Sequence, residues 1–186
     1  GGSSAVFAGA AGTYMTAPVD DGFQLGTGDF TIEFFVRLSG YSASYNGAYG
    51  AAILATYYGV VAGNPLGWQI RVNGTSNSYT TLNVYSGTID YNWPYAFALN
   101  TWYHVALSRT SGMLRAFVDG VLVGGSASSE AFSGNTNVQR PLHIGRLNDP
   151  LFIFPLNGYL EEARITKGVG RYTADFPVPT APFPNP

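Results

Sequence analysis

The sequence contains no cysteine, a single lysine and few charged residues of either sign. Without cysteine, the chain cannot form a disulfide framework, a zinc site with thiolate ligands or a Cys-x-x-Cys redox motif. Charged residues make up 11% of the 186 positions, whereas hydrophobic residues make up 46%. This balance excludes a disordered chain and predicts a sizeable apolar core.

Clustered positive charge and long apolar runs are also missing. Lys167 and eight arginines are scattered singly, and the net charge is -2. No basic stripe could follow a phosphate backbone, so we expect no nucleic-acid partner. No apolar run approaches the roughly 20 residues that cross a bilayer, so we expect no membrane insertion. Residues 1–4 lack the charged and apolar regions of a signal peptide, and we expect them to be a linker or a remnant of recombinant expression.

What the chain does contain is a strong β-strand pattern. Its 24 glycines and 11 prolines favour many short strands separated by turns. Phe30–Leu38 and Trp102–Arg109 each alternate between two faces with a period of two. Within Met113–Val123, Asp119 and Gly120 separate two apolar runs, which predicts a type I′ hairpin because both turn residues need a positive φ.

Further segments complete an all-β prediction without any helical period. Additional strands are predicted at 5–7, 13–16, 51–57, 67–72, 79–85, 142–145 and 158–165. The longest turn-rich loops are predicted at 40–50, 59–67, 87–101 and 124–140. We expect one domain over residues 5–176 and a proline-rich, extended C-terminal tail over residues 177–186.

Six sequence segments follow one another in an order that points to a family. They are FAGAAGTYMTAP (7–18), GTGDFTIEFFVRL (26–38), TWYHVALSR (101–109), AFVDGVLVG (116–124), PLHIGR (141–146) and LNGYLEEARITKGVGRYTADFPVPTAPF (156–183). Together they resemble the laminin-G-like, concanavalin A-type domains of phage tail and bacterial surface proteins. The resemblance covers nearly the whole chain. It implies a two-sheet antiparallel jelly-roll sandwich whose usual activity is adhesion or carbohydrate recognition.

The resemblance also bears on metal binding. Related folds hold a structural calcium with a carboxylate of the last strand and backbone carbonyls of the first strands. In this sequence Ala8 stands where such domains often have Asp, and Glu161 stands in place of another Asp. Glu161 is therefore the one predicted metal ligand, with the alternative that it only ties the last strand to the first through hydrogen bonds. No cofactor is expected to be required.

The carboxylates do not form a local catalytic pair. Retaining glycosidases need two carboxyl groups about 5–5.5 Å apart, and residues i and i+2 of a strand share a face about 6.5–7 Å apart. No acidic residue has an acidic partner at i+2, and Glu161 and Glu162 are consecutive. A long-range pair such as Glu33 with Glu162 stays open. We predict that the chain is not an enzyme.

The two histidines do not suggest a catalytic triad. His104 and His143 both lie in predicted strands, and the sequence has no Gly-x-Ser-x-Gly motif around a nucleophile. A buried or subsurface structural role is the prediction for both. Trp68 and Trp102 also lie in predicted strands, where core packing is expected.

Aromatic residues are the informative excess. The 13 tyrosines fall in large part within predicted loops, where a ring can stack on a sugar and a hydroxyl can bond its oxygens. The same rings could instead cover the core. The predicted carbohydrate-binding residues are Tyr41, Tyr45, Tyr49, Tyr91, Trp93 and Tyr95. Their loops carry little charge, so a neutral glycan is expected.

These observations predict a non-catalytic carbohydrate-recognition or adhesion module on an extracellular or virion surface. The expected partners are a neutral glycan or host-surface polysaccharide and neighbouring virion or surface domains, and the chain could form a homo-oligomer. A structural module of a phage tail or capsid is the alternative. A degenerate glycoside-active enzyme is a third hypothesis.

Overall fold

The computed structural model describes residues 4–44, 47–56, 60–61, 64–65, 67–87, 89–127, 131–132, 140–149 and 151–183. Tyr45, one of the predicted site residues, lies outside the described residues. Within the described ranges, no helix is long and apolar enough to cross a membrane.

The described residues form fourteen strands and a short 3-10 helix at Asp21–Phe23. The strands are β1 (Ala5–Ala8), β2 (Met15–Ala17), β3 (Phe30–Leu38), β4 (Tyr49–Ala55), β5 (Val60–Val61), β6 (Asn64–Pro65), β7 (Trp68–Thr75), β8 (Ser78–Ser86), β9 (Ile89–Phe97), β10 (Trp102–Thr110), β11 (Met113–Val118), β12 (Val121–Ala127), β13 (Leu142–Ile144) and β14 (Asn157–Lys167). Sheet A has the order β1-β14-β3-β10-β11-β12, and sheet B has the order β2-β13-β4-β7-β8-β9. Strands β5 and β6 pair only with each other.

The inner faces of the two sheets share one hydrophobic core. Strand β3 of sheet A contributes Ile32 and Phe34, and β7 of sheet B contributes Trp68 and Ile70, all at most 1% exposed. The period of two predicted for β3 is confirmed, because every second side chain enters this core. The prediction of an all-β, two-sheet antiparallel jelly-roll sandwich is confirmed as well.

The hairpin between β11 and β12 has the predicted turn. Asp119 and Gly120 have φ values of 50° and 77°, the positive angles that a type I′ turn needs. A side chain at Gly120 would also collide with the carbonyl oxygen of Phe176. The turn therefore joins two strands and leaves room for the C-terminal segment that passes beside it.

The prediction of a loop at 87–101 is wrong, because most of it is strand β9. Its side chains alternate strictly, with Tyr91 and Trp93 inward and Asp90 and Asn92 outward. Pro94 is tolerated because β9 is an edge strand, where a missing N–H leaves no neighbour unpaired. The residues Asp, Asn and Pro suggested turns, but tertiary packing of the alternating aromatics decides the conformation.

The C-terminal segment covers the outer face of sheet A, the face turned away from sheet B. We call residues 168–183 the strap. Thr31 Oγ1 donates to the Val169 carbonyl at 2.8 Å, and the Tyr172 N–H donates to Ser108 Oγ at 3.0 Å. The Phe176 N–H donates to the carbonyl of Gly120 at 2.9 Å. The strap has no regular secondary structure, but side-chain and backbone bonds fix it to the sheet.

A buried ionic network lies under the strap. Glu33 is 0% exposed and accepts hydrogen bonds from Arg164 at 2.7 and 3.1 Å and from Tyr172 Oη at 2.9 Å. His104 Nε2 and Arg171 Nε lie 3.4 and 3.7 Å from its carboxylate oxygens. Burial alone would raise the pKa of Glu33, but these partners hold it below its usual value. Burial and the bond to Glu33 raise the pKa of Tyr172 to about 12.

Candidate functional site

Polar side chains line the outer face of sheet B, on strands whose inner side chains belong to the core. We call this surface the sheet B face. Its main polar residues are Gln69, Arg71, Asn73, Thr81, Asn83, Tyr85, Asp90 and Asn92. The strand register places Arg71 opposite Asn83 and Asn83 opposite Asn92, so the row crosses three strands. Cross-strand neighbours at about 4.5–5.5 Å are close enough to bond one another.

Asn83 is the centre of the hydrogen-bond network on this face. Its Oδ1 accepts from Arg71 Nε at 2.8 Å. Its Nδ2 donates to Asp90 Oδ1 at 2.8 Å and to Asn92 Oδ1 at 2.9 Å. Asn92 Nδ2 in turn donates to Asp90 Oδ1 at 3.2 Å. Because Asn83 is 0% exposed, these bonds fix the orientation of the half-buried and exposed polar groups around it.

Among the described residues, two acceptors on β7 have no hydrogen-bond partner. Gln69 is only 4% exposed, and its buried Oε1 makes no hydrogen bond; the same holds for the buried Oδ1 of Asn73. Buried polar atoms normally have a partner. Both oxygens lie beneath the surface, so the polar groups that a ligand on this face would meet are the half-buried Arg71 and the exposed Asp90 and Asn92. Burial and nearby Asp90 raise the pKa of Tyr85, so its phenol stays protonated at neutral pH.

A loop forms an apolar wall along one side of the sheet B face. Residues 145–149 and 151–156 belong to this loop, and its Leu147 and Phe154 bury Ala52 and Ala55 of β4. A Cβ at Gly50 would lie 2.9 Å from the Phe154 ring, so glycine is required at this point of close approach. The Arg71 guanidinium lies 4.5 Å from the centre of the Phe154 ring, which links the wall to the polar network.

A cavity of about 270 Å³ opens at the corner where β13 and β4 end. Its lining residues are Thr56, Arg140, Pro141, His143 and Asn148. His143 lies opposite Ala55, which lies opposite Gln69, but Leu147 and Phe154 cover Ala55, so this loop separates the cavity from the polar row on β7–β9. Burial and neighbouring Arg146 lower the pKa of His143, so its imidazole is neutral at pH 7.

Three of the predicted site residues point into the sandwich. Tyr91, Trp93 and Tyr95 are inner residues of β9, half-buried and packed against the core. A side chain at Gly124 of β12 would collide with the Trp93 ring, so this ring fills the space between the two sheet edges. Carbohydrate binding by these rings stays a prediction, and the packing favours the alternative that they cover the core.

Tyr41 and Tyr49 lie at the end of the sandwich where β4 begins. The Tyr41 ring meets the Tyr79 ring edge-on at 5.0 Å and packs against the core. Tyr49 is the half-buried first residue of β4. Tyr79 pairs with Phe97, whose ring lies 4.8 Å from that of Tyr95. The structure thus brings Tyr41 towards the end of β9, through rings that are mainly interior.

Glu161 lies on the opposite side of the molecule from the sheet B face. It pairs with Phe35 on the outer face of sheet A, and neighbouring Glu162 accepts the Phe183 N–H at 2.9 Å. Among the described residues, no group of three or more His, Asp or Glu could hold a metal ion. A hard cation at Glu161 would have to take most of its oxygen ligands from the backbone, so the side chains present fit calcium poorly. Calcium binding at Glu161 stays a prediction.

The acidic residues have different structural roles. The described strands of sheet B place a single carboxylate, Asp90, on the sheet B face. Glu33 belongs to the buried network, and Glu162 holds the end of the strap. Glu33 and Glu162, the long-range carboxylate pair that the sequence left open, therefore each bond to other groups of the fold. On the sheet B face, Asp90 bonds to amide groups, an arrangement suited to binding.

Trp102 was expected in the core, and that expectation is wrong. It is 38% exposed on the outer face of sheet A, and its ring lies 6.4 Å from that of Tyr159. Arg37 pairs with both residues and holds its guanidinium 5.2 Å from the Tyr159 ring. Val6, 63% exposed, ends this row on β1. Strand position fixes the face of a side chain, but the sequence does not show which outer faces are covered.

The polar row on the sheet B face could not be predicted from the sequence, for an identifiable reason. Its residues come from β7, β8 and β9, and only the strand register brings them together. The one available signal was the alternation of Asp90 and Asn92 with aromatic residues, which is typical of a half-buried strand.

Sequence comparison shows the family. The laminin-G-type model of the concanavalin A-like lectin/glucanases superfamily matches residues 9–169. Among proteins with curated descriptions, none matches the chain by sequence.

Solved structures with the same fold include several sugar-binding domains. A proposed carbohydrate-binding protein from Bacteroides ovatus is 22% identical with a TM-score of 0.62; the match covers 86% of this chain and 42% of that one. This chain thus spans less than half of the length of that protein. Domain 4 of the extracellular GH43 arabinanase AbnA from Geobacillus stearothermophilus, in complex with arabinotriose, is 16% identical (TM-score 0.59; 89% and 70% covered).

A third similar structure is the CBM40 domain of the Ruminococcus gnavus IT-sialidase bound to α2,3-sialyllactose. It is 14% identical with a TM-score of 0.59, over 78% of this chain and 79% of that one. At these identities the similarity shows the fold. Together with the family match over residues 9–169, it establishes that the chain belongs to the concanavalin A-like lectin/glucanases superfamily.

Proposed function

We propose that the chain is a non-catalytic carbohydrate-binding module whose ligand lies on the sheet B face. The observation that carries this proposal is a row of polar side chains oriented around Asn83, of which Asp90 and Asn92 are exposed and Arg71 is half-buried. Sugars offer many hydroxyl donors and acceptors, which match amides, a guanidinium and one carboxylate. The apolar rim at Phe154 suits the C–H side of a sugar ring.

The family and the fold support this proposal. Two of the similar domains are bound to arabinotriose and to sialyllactose, so this sandwich can present a sugar site. Fold similarity alone does not transfer function, and the weight therefore rests on the sheet B face. We also propose that the module is secreted or displayed on a surface, including that of a virion, where a glycan would be accessible.

The charge of the face favours a neutral glycan. Arg71 and Asp90 are the cation and the carboxylate on β7–β9, and both bond to the Asn83 side chain. A site for a sulfated or sialylated chain would be expected to gather several cations around the ligand. Binding at a sheet surface buries little area, so the affinity should be modest.

A glycan array of neutral and acidic oligosaccharides tests the proposal. Arabinotriose and α2,3-sialyllactose provide one neutral and one acidic probe. We expect neutral ligands to bind, and Asn92→Ala to weaken binding about five- to tenfold through the loss of hydrogen bonds. Arg115→Ala, on the outer face of sheet A, is the matched control and should leave the affinity unchanged. Absence of any glycan binding, or equal losses in both variants, would contradict the proposal.

A structural module of a phage tail or capsid is a second candidate function. The row of Val6, Tyr159, Arg37 and Trp102 favours it, because Trp, Tyr and Arg are enriched at the energetic centres of protein interfaces. This function requires self-association or a protein partner. A Trp102→Ala variant that dissociates an oligomer, measured by light scattering, would support it; a monomeric wild-type chain would oppose self-assembly.

A further inference from the structure

The cavity beside His143 is a space of its own, because the apolar wall covers β4 between it and the sheet B face. Thr56 and His143 are the most buried of its lining residues, at 2% and 6% exposure, and form its floor. The half-buried lining residues at its mouth are Arg140, Pro141 and Asn148. Its volume of about 270 Å³ lies just below the range of roughly 300–1,000 Å³ that drug-sized ligands occupy, so it suits one small molecule.

The polar groups that line the cavity offer mainly hydrogen-bond donors. Thr56 Oγ1 accepts from the Trp68 N–H at 3.1 Å, which leaves its hydroxyl hydrogen for a ligand. Asn148 Oδ1 accepts from Arg146 Nη2 at 3.5 Å, which leaves the amide N–H groups of Asn148 for a ligand. The guanidinium of Arg140 is a donor that has no acceptor atom. A ligand group that only accepts hydrogen bonds would match this set.

The charge around the cavity is positive. Arg140 lines it, and burial together with the charge of neighbouring Arg146 lowers the pKa of His143. Among the described residues that line the cavity, none is acidic. Asp149, next to Asn148 in the chain, accepts two backbone N–H groups of its own turn at 2.7 and 2.8 Å. The cavity thus combines positive charge with donors, the combination that binds anions.

The groups behind the cavity are fixed by packing. The imidazole of His143 stacks on the Tyr14 ring, with ring centres 5.8 Å apart and planes at 26°. The Arg146 guanidinium lies 4.1 Å from the centre of the Tyr14 ring and donates to the Ala11 carbonyl at 2.7 Å. The imidazole and the guanidinium are therefore oriented before a ligand arrives, which lowers the entropic cost of binding.

We propose that this cavity binds an oxyanion, the carboxylate or phosphate group of a small molecule, through Arg140 and Asn148 at the mouth and the Thr56 hydroxyl at the floor. The oxygens of such a group accept several hydrogen bonds at once and match the forked donors of a guanidinium. The imidazole of His143 adds a further donor at the floor. This is a second site of the chain, and it does not depend on the function proposed for the sheet B face.

The charge state of His143 couples this site to pH. Arg140 and Arg146 are the charged groups, and Tyr14 the other titratable group, that face the imidazole from the packed segments, and Asp149 follows in the same loop. A bound anion offsets the positive charge and should raise the pKa of His143 towards its ordinary value of 6.5. By reciprocity, anion binding should tighten as pH falls through that pKa.

Imidazole NMR signals of the intact chain test the site, because His104, the second histidine, is buried beneath the strap and provides an internal reference. The chain is titrated with glucuronate, with phosphate and with neutral glucose. The His143 signals should shift with the anions and not with glucose, while the His104 signals stay in place. A response to one anion alone supports the site and identifies its oxyanion. No response to either anion, or an equal response to glucose, would overturn the proposal.

A pH titration in sulfate, whose charge is constant near neutral pH, tests the coupling. The pKa of His143 should be higher in sulfate than in chloride at equal ionic strength, and that of His104 should be the same in both. An equal pKa of His143 in the two salts would contradict a bound anion beside the imidazole.

Two variants with the same change of charge separate the cavity from the rest of the surface. Asn148→Asp places a carboxylate at the mouth and should weaken anion binding at least about tenfold by repulsion. Asn77→Asp makes the same change at an exposed turn between β7 and β8 and should keep the affinity within about twofold. Arg140→Gln should weaken binding about fivefold or more. Full affinity in Asn148→Asp and Arg140→Gln would overturn the site.

The variant Asn92→Ala shows whether the two sites are independent. It should leave anion binding in the cavity unchanged, even where it weakens glycan binding on the sheet B face. A loss of anion binding in Asn92→Ala would contradict a separate site, whereas a failure of all neutral glycans to bind would overturn only the function proposed for the sheet B face.

Discussion

The outer faces of the two sheets differ in what covers them. On sheet A the strap crosses the strands, and it buries Glu33 and His104 to 0% and 1% exposure. On sheet B the outward residues of β9 are exposed, and polar groups around Asn83 meet solvent beside an apolar loop. The strap closes the outer face of sheet A, whereas on sheet B a loop covers β4 and leaves the polar row on β7–β9 open.

The comparison shows that polar residues on a sheet surface have two different uses. Under the strap, Arg164 and Tyr172 pair with the Glu33 carboxylate, because an unpartnered buried charge would cost several kcal/mol. On the sheet B face, Asn83 orients Arg71, Asp90 and Asn92, and the last two are exposed to solvent. Polar groups buried under the strap stabilise the fold, whereas polar groups held towards solvent are available to a ligand.

Removing the strap should have the largest effect. A chain ending at Gly168 loses the Tyr172 and Phe176 rings, which stack on each other and on Phe117. The two rings are half-buried, and their loss also uncovers Phe117, so at about 1–2 kcal/mol for each ring the free energy of unfolding should fall by about 2–4 kcal/mol. Urea denaturation should show this loss, whereas Leu151→Ala, at a residue 54% exposed beside sheet B, should change stability by about 0.5 kcal/mol or less. Equal stability of the two variants would show that the strap is not part of the fold.

Breaking the network under the strap should have the next largest effect. Glu33→Gln leaves Arg164 and Tyr172 without a charged acceptor and should cost about 3 kcal/mol. Glu161→Gln is the matched control on the same face, with an expected change of about 0.5 kcal/mol or less.

The same carboxylate should make stability depend on pH. The pKa of folded Glu33 lies below its ordinary value of 4.5, so its ionised form contributes stability above about pH 4.5. That contribution is lost as pH falls through the folded pKa. Thermal midpoints of the wild-type chain should therefore drop more steeply in acid than those of Glu33→Gln. Parallel curves would contradict the role given to Glu33.

Trp93 and Asn92, adjacent on β9, compare the inner and outer faces of one strand. Trp93→Ala empties space between the sheet edges and should cost about 2 kcal/mol of stability, since the ring is half-buried. Asn92→Ala should change stability by under about 1 kcal/mol but weaken glycan binding. Denaturation and titration calorimetry on the two variants check this. Weakened binding in folded Trp93→Ala, with Asn92→Ala unaffected, would instead favour the aromatic site predicted from the sequence.

Calcium should have the smallest effect. Of the two neighbouring carboxylates, that of Glu162 already accepts the Phe183 N–H, which leaves the single carboxylate of Glu161 for a cation. We therefore expect the same melting temperature in calcium and in chelator. A ligand that binds only the native state must raise the midpoint. A rise in calcium that disappears in Glu161→Gln would establish the metal site.

Much of the fold could be predicted because its signals are local. The alternation of Phe30–Leu38 and the Asp119-Gly120 turn are fixed within a few residues, and the structure confirms both. Strand β9 was missed because Asp90, Asn92 and Pro94 favour turns locally, whereas the packing of the alternating aromatics lies far away in sequence.

The arrangement of both outer faces could not be predicted, since it depends on distant contacts. Tyr172 meets Glu33 across 139 positions of the chain, and no periodicity signals such a pair. The sheet B face likewise requires the register of β7, β8 and β9 before Arg71, Asn83 and Asn92 become neighbours. The tyrosines of the predicted loops were assigned to carbohydrate binding because their ring and hydroxyl chemistry can be read from the sequence, whereas their burial cannot.

Amide chemical-shift mapping with an array-identified glycan tests the central claim most directly. The isotope-labelled chain is titrated with the ligand, and the shifts are placed on the two sheets. The account predicts that the largest shifts fall on β7, β8 and β9, around Gln69, Asn83 and Asn92, while the strap and the outer face of sheet A stay unchanged. Largest shifts on the strap, or at the end of the sandwich near Tyr41 and Tyr49, would contradict it.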